Sequence, residues 1–340
     1  MARQVVDKLS SIKTLGEIAF DNYDYQTAKE CFDLLFEKTD YKADKLHAIY
    51  MKLQIGIANK EPNLTEEFKK TFDEFGINSK TLYIQLAYAD FLTFHQNKPE
   101  KAIPVLEKAI NLSTSKYTQA SVKLKLGEVL VFTQKFSKAL IYFSQVQTQF
   151  KNHPLAQEAR FKVAQTSYFN MDFTWAKAQL KILKGSATQL IANDATELFL
   201  IISNNQPSDS IPTGLTEYAK ADLLAYQNKN KLAIATLNTL LVNYKNQNIE
   251  DQALYKQALL YTKTKQFNKA AANYEKILQL NPKGLLIDNS LYKLAELYNG
   301  ELRQPNKASE YYQKIIFNHP SSIYLVDARN KYRKLRGDNI

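Results

Sequence analysis

The chain has 340 residues, 45% of them hydrophobic, with a formal net charge of +11 and a single cysteine. That apolar content excludes a mostly disordered chain, and one cysteine excludes an intrachain disulfide or a thiolate metal cluster. Only six of the 45 basic residues are arginine, so the charge favours acidic partners or anionic surfaces through steering, or simply a solvated lysine face, over base-specific reading by bidentate arginines.

Met1 to Lys8 carries charge where a signal peptide needs an apolar core. The longest apolar run, near Leu198 to Ile202, is too short to span a bilayer. The chain therefore reads as soluble. Its compartment is the periplasm or outer-membrane periphery if a leader has been removed, and the cytoplasm otherwise.

Helical periodicity predicts a first pair over Val5 to Asn22 and Tyr25 to Glu37, turning at Asp21-Asn22-Tyr23-Asp24, with Cys31 facing inward. A less regular pair follows over Ala43 to Asn59 and Leu64 to Phe75, started by Pro62 or Asn63 and stopped at Gly76. The third pair covers Thr81 to Gln96 and Pro99 to Leu112, with a kink expected at Pro104. Next come Lys116 to Thr133 with Phe136 to Phe150, and Leu155 to Asn170 with Phe173 to Leu183. An extra helix near Ala192 to Ser203 precedes the polar stretch Asn204 to Thr213, read as a hinge or a plain surface loop. Pairs resume over Gly214 to Gln227 with Lys231 to Val242, Glu250 to Thr264 with Phe267 to Leu280, and Asn289 to Asn299 with Asn306 to Phe317. Ser322 to Leu335 reads as a capping helix. The organisation is thus an arm over 1–184 with an irregular pair at 41–77, a helix plus loop over 185–213, a second arm over 214–320, and a cap with a basic tail over 321–340.

A short pattern recurs along these pairs. Leu126-Gly127 is followed by Phe136, Ala139 and Phe143, Val163-Ala164 by Phe173, Ala176 and Leu180, and Gln257-Ala258 by Phe267, Ala270 and Tyr274. Gly127 and Ala164 are 37 residues apart, as are Ala221 and Ala258, and Ala258 and Ala295. Small residues at such a period mark an all-α solenoid, in which each helix pair buries its apolar face against its neighbours. The expected anchors are Gly16, Ala28, Gly127, Ala139, Ala164, Ala176, Ala221, Ala233, Ala258, Ala270, Ala295 and Ala308.

On these positions the chain resembles the tetratricopeptide-repeat superfamily. The clearest span is Gln257-Ala258, Tyr261, Phe267, Ala270, Tyr274, Ile277 and Asn281-Pro282. The resemblance covers about four fifths of the chain, weakens at Tyr41 to Ile77 and Gly185 to Thr213, and lacks the family's tryptophan in the first helix, since Trp175 falls in a second one. It implies a right-handed superhelix and a non-enzymatic binding module. The junctions Phe150-Lys151-Asn152-His153-Pro154 and Phe317-Asn318-His319-Pro320 are similar to those of bacterial cell-envelope repeat proteins of the outer-membrane assembly and Tol-Pal-associated types, and the lysine-, asparagine- and tyrosine-rich usage is similar to that of AT-rich bacteria.

No motif carries catalysis. His47, His95, His153 and His319 lack zinc-hydrolase spacing, the nine glycines form no phosphate cradle, and no acidic run makes a calcium loop. The expectation is no catalytic residue, no metal, no cofactor and no small-molecule substrate. Helical spacing instead places Glu128, Phe132, Gln165, Tyr168, Tyr218, Asp222, Tyr226, Tyr255 and Tyr292 on one inner stripe of the first helices. Two readings stand for its aromatics: a groove gripping a peptide or helix, or packing between neighbouring units, the latter weighing more for Phe161 and Phe169. The basic tail Arg329, Lys331, Arg333, Lys334 and Arg336 either meets acidic surfaces or answers a helix dipole. Three functions follow: a scaffold or adaptor binding a protein segment in the groove, a structural subunit of an envelope assembly, or lysine-mediated binding of nucleic acid or an anionic surface.

Overall fold

A computed structural model describes residues 2–185, 189–206 and 214–338. Among them every regular element is a helix. In order these are α1 (Ala2–Asp21), α2 (Tyr25–Lys38), α3 (Lys42–Asn59), α4 (Leu64–Phe75), α5 (Leu82–Asp90), α6 (Pro99–Leu112), α7 (Lys116–Phe132), α8 (Phe136–Gln149), α9 (Pro154–Phe169), α10 (Phe173–Leu183), α11 (Gln189–Asn205), α12 (Leu215–Tyr226), α13 (Asn230–Asn243), α14 (Ile249–Lys263), α15 (Phe267–Leu280), α16 (Ile287–Asn299), α17 (Pro305–Asn318) and α18 (Leu325–Arg336). The hinge expected at Asn204 to Thr213 falls largely on 207–213, outside the described residues. Two compact units form, residues 1–162 and 163–340.

Within each unit successive helices pack as antiparallel neighbours, as α1 does on α2 and α7 on α8 in the first unit, and α14 on α15 and α16 on α17 in the second. First helices of successive pairs also touch: α3 meets α5, α5 meets α7, and α12 meets α14. The small residues explain the close approach. Ala28, Ala139, Ala164, Ala176, Ala221, Ala233, Ala258, Ala270, Ala295 and Ala308 are all fully buried. A Cβ on Gly127 would fall 2.3 Å from Cε1 of Phe143, and one on Gly16 would fall 2.9 Å from Cζ of Phe32. The irregular second pair has Leu53 where Gly16 would project one period on, and uses Gly56 to approach Leu64 instead.

The turns inside the pairs carry the rhythm more faithfully than the side chains do. Tyr23, Lys60, Asn97, Gln134, Met171, Asn228, Lys265 and Arg303 each take a left-handed conformation, with φ between 49° and 64°. The first five follow one another at 37 residues. Each turn closes with a backbone bond characteristic of this helix ending, such as Lys135 N–H to Leu130 O at 2.8 Å and Gln266 N–H to Tyr261 O at 2.8 Å. Asp24 and Asp172, four periods apart, then cap α2 and α10 by accepting from Thr27 N–H and Trp175 N–H. A left-handed L-residue costs roughly 1–2 kcal/mol, whereas glycine pays only about 0.5–1 kcal/mol in extra chain entropy. Gln134→Gly should therefore raise the denaturation midpoint by up to about 1 kcal/mol of stability, and Gln134→Val should lower it. Equal midpoints for the two variants would contradict the turn geometry.

The third pair departs from a plain helix. A 3₁₀ turn at Ser79–Thr81, capped by Asn78, precedes α5, and a π turn at Phe91–His95 follows it. The step from buried Ala89 to buried Ala102 is 13 residues, one more than from Gly127 to Ala139. The π turn absorbs that extra residue, because one i to i+5 turn takes up an additional position without unwinding the helix. The closing bond lengthens accordingly, from Lys98 N–H to Leu92 O. The Ala295 to Ala308 step is also 13 residues and closes in the same way, from Gln304 N–H to Tyr298 O. Helix α6 runs through Pro104, which lacks the N–H that would bond the Glu100 carbonyl.

Candidate functional site on the first helices

Charged rungs cross from one first helix to the next. In the first unit Asp90 accepts from Lys125 at 2.7 Å, Lys125 lies 2.8 Å from Glu128, and Glu128 lies 2.6 Å from Lys162. In the second unit Asp222 pairs with Lys256, and Glu296 with Lys331 at 2.7 Å. Each acid meets a lysine 34 or 35 residues later. The acid follows the small anchor directly, and Lys125, Lys162 and Lys256 each precede the next anchor by two positions, which sets both charges on the facing stripe. Glu128 and Asp222, two residues of the predicted stripe, are thus engaged within the chain. Their lysine partners were not singled out in the sequence, although charge complementarity at the repeat period marks them.

Burial alone would raise the Glu128 carboxyl, but Lys162 and Lys125 outweigh it and hold it below its ordinary value. Burial likewise opposes the Lys125 charge, and Glu128 and Asp90 more than offset that. Glu158 on α9 has the opposite balance: desolvation raises it, Lys162 opposes the rise, and Glu128 adds to it.

Aromatic residues continue the stripe. In the first unit Phe94 and buried Phe132 meet edge to face at 5.3 Å. In the second, Phe169 and Tyr226 lie 5.7 Å apart. Tyr168 and Tyr218 are buried, at 1% and 5% exposure. Burial first, and then the Asp222 carboxylate, raise both phenols well above the ordinary value. They therefore form the floor of the stripe, whereas Gln165, Tyr226, Tyr255 and Tyr292 are half-buried and reach its surface. Desolvation, with Tyr324 and Glu197 nearby, pushes Tyr255 up to about 12.

Tyr324 at the start of α18 stacks on Tyr292 with ring centres 4.2 Å apart, and the Tyr292 hydroxyl donates to Asp327 at 2.5 Å. Lys331 donates to the Tyr292 hydroxyl at 2.9 Å, which takes it out of a free basic tail. Arg333 and Arg336 close on Asp338 instead. Helix α11 lies against α10, α12 and α14 and so brings Glu197 up to this stripe.

The histidines are dispersed. His153 accepts from Leu155 N–H through Nδ1, His319 lies 2.7 Å from Asp288, and His47 lies 3.0 Å from Glu17. Among the described residues no group of three or more His, Cys, Asp or Glu side chains is placed to hold a metal ion. No helix among them is long and apolar enough to cross a membrane.

Residues 251–283 and 289–322, which cover most of α14 and α16 and all of α15 and α17, each match a family model described as Tetratricopeptide repeat. No curated protein matches the sequence. Solved structures with a similar course include PilW, described as a widely conserved type IV pilus biogenesis factor, at 14% identity and TM-score 0.44, covering 71% of this chain and 95% of that one. Another is pilF of Pseudomonas aeruginosa, at 17% identity and TM-score 0.45, covering 77% and 98%. A third is the apo form of RapI, at 12% identity and TM-score 0.46, covering 98% of each chain. Helix pairs stacked through small buried residues make this chain an all-α solenoid similar in build to tetratricopeptide repeats, and two of its spans match that repeat's models.

Proposed function

We propose that this chain is a non-enzymatic scaffold that holds a segment of a partner protein along the first helices. One observation carries the reading: Tyr226, Tyr255, Tyr292 and Tyr324 stand half-buried on α12, α14, α16 and at the start of α18, backed by the buried rings of Tyr168 and Tyr218. Rigid aromatic faces on a preorganised helical floor give large contact area at low entropy cost. A segment laid across them would meet alternating rings and paired charges, the pattern by which grooves grip an extended peptide or a helix. The matched repeat spans include two of these helices, α14 and α16.

The test uses a photo-crosslinking amino acid at one position at a time in the native host. Inner positions Gln165, Tyr226 and Tyr255 should give discrete protein adducts. The exposed second-helix positions Ile141, Trp175 and Leu232 should give none. Adducts from the second helices alone would sink the groove reading. Tyr226→Ser and Tyr255→Ser should remove the inner adducts while leaving helical circular dichroism intact, because neither side chain is fully buried.

A further inference from the structure

We propose that the stripe of the second unit takes a cationic segment, a lysine- or arginine-bearing stretch of a partner protein whose charged head sits between the Glu197 carboxylate and the rings of Tyr255 and Tyr324. The inference rests on the groove reading and adds the sign of the partner, opposite to that suggested by the net charge.

The acids of this stripe are otherwise answered within the chain. Asp222 has Lys256, Glu296 and Asp327 have Lys331, and Asp288 has His319. Glu197 is exposed and has no ion-pair partner among the described residues, and the same holds for Asp194 one turn before it. Helix α11 contains no lysine or arginine. Its packing against α12 and α14 brings Glu197 within electrostatic reach of Tyr218, Asp222, Tyr255 and Lys256, and Lys256 is already committed to Asp222. Glu197 also acts on Tyr324 across the same surface.

The result is an open carboxylate on an aromatic surface, with Asp194 unpaired among the described residues one turn away and a single Lys331 shared between Glu296 and Asp327. Desolvation raises the Glu197 carboxyl, Lys256 opposes the rise, and Asp194 and Asp222 add to it. An incoming cation relieves that crowding. The surface has a precedent within the chain, since Lys331 lies 5.2 Å from the centre of the Tyr292 ring. A carboxylate beside tyrosine rings offers a guanidinium or ammonium both charge pairing and a ring face. At physiological salt the screening length is about 8 Å, so lysines farther away oppose the approach only weakly.

The test uses the full chain and three fluorescent peptides sharing one uncharged tyrosine- and leucine-containing scaffold, with lysine, glutamine or glutamate at the same positions. Binding is read by anisotropy at low and physiological salt. The lysine peptide should bind at least about tenfold tighter than the glutamine peptide, and the glutamate peptide weakest. Glu197→Gln should remove most of the lysine advantage and leave the glutamine peptide unchanged. Glu66→Gln, an exposed acid on α4, should change neither. Equal binding of the lysine and glutamine peptides overturns the cationic inference but leaves the groove reading standing, as does preference for glutamate. Insensitivity of the lysine peptide to Glu197→Gln also overturns it. If no peptide binds, the inference fails, and the inner-position crosslinks decide separately whether the groove reading fails with it.

Discussion

Replacing Gly127 by alanine should destabilise the first unit by about 1–3 kcal/mol, although the same change in an isolated helix would stabilise it by about 1 kcal/mol. The reason is local. The new Cβ would stand 2.3, 2.5 and 2.9 Å from three ring carbons of Phe143, which is itself fully buried on α8. A packed ring at the centre of a helix pair has no free rotamer to retreat into, so α7 and α8 must separate. In a solenoid that strain stays with neighbouring pairs. Hydrogen exchange should therefore quicken in α7 and α8 and stay unchanged in α14 and α15. Gly185→Ala meets no atom within 4 Å and should be close to neutral. Trimming the ring in Gly127→Ala/Phe143→Leu should recover part of the loss, because the two sites share one space. A rise in stability for Gly127→Ala alone would show that the helices do not approach through this glycine.

The fold was legible because the small residues are a chemical requirement of the pairing. A Cβ at Gly127 would already crowd the Phe143 ring, and Ala164 and Ala258 are fully buried, so the period is written in residue type. The left-handed turns keep the same period but are occupied by tyrosine, lysine, asparagine, glutamine, methionine and arginine. Backbone bonds, not side-chain chemistry, dictate that conformation, and the sequence carries no mark of it. The second pair looked irregular for a related reason. Leu53 replaces the expected small residue there, while the turn at Lys60 holds the rhythm. The π turn escaped notice because an added residue inside a helix resembles a longer loop until both flanking alanines are seen buried.

The stripe was legible in direction but not in depth. Helical spacing assigns Tyr168 and Tyr218 to one side of their helices, and both lie beneath the surface. The contact between Phe169 and Tyr226 and the approach of α11 depend on packing between helices that a single helix pattern does not contain. In sequence, Glu128 and Asp222 read only as polar members of the inner stripe. Their partners sit 34 residues away on the next first helix, beyond the reach of an argument built on i, i+3 and i, i+4.

Those rungs give a pH signature. Glu128→Gln should cost the first unit about 1–2 kcal/mol at neutral pH, less than a fully buried pair would, because the Glu128 and Lys162 side chains keep 17% and 21% of their exposure. Glu128 has a folded-state carboxyl below the ordinary 4.5, so the folded state favours its charged form. Its contribution is present above about pH 4.5 and is lost as pH falls through the lower folded value. Lys125 is held above its ordinary 10.5, so its contribution is complete below that and is lost as pH rises through the higher folded value. The stability gap between the parent chain and Glu128→Gln should thus be flat from about pH 6 to 9 and close below pH 4.5. Glu158→Gln supplies the opposite control. The folded-state carboxyl of Glu158 is raised, so keeping it charged at neutral pH opposes folding, and the glutamine variant should be equal to or more stable than the parent there. Denaturation midpoints of the three proteins from pH 3 to 9 measure both signs. A gap for Glu128→Gln that persists unchanged at pH 3 would mean that the side chain acts through packing rather than charge, and the interhelical rungs would then be incidental to what holds successive pairs together.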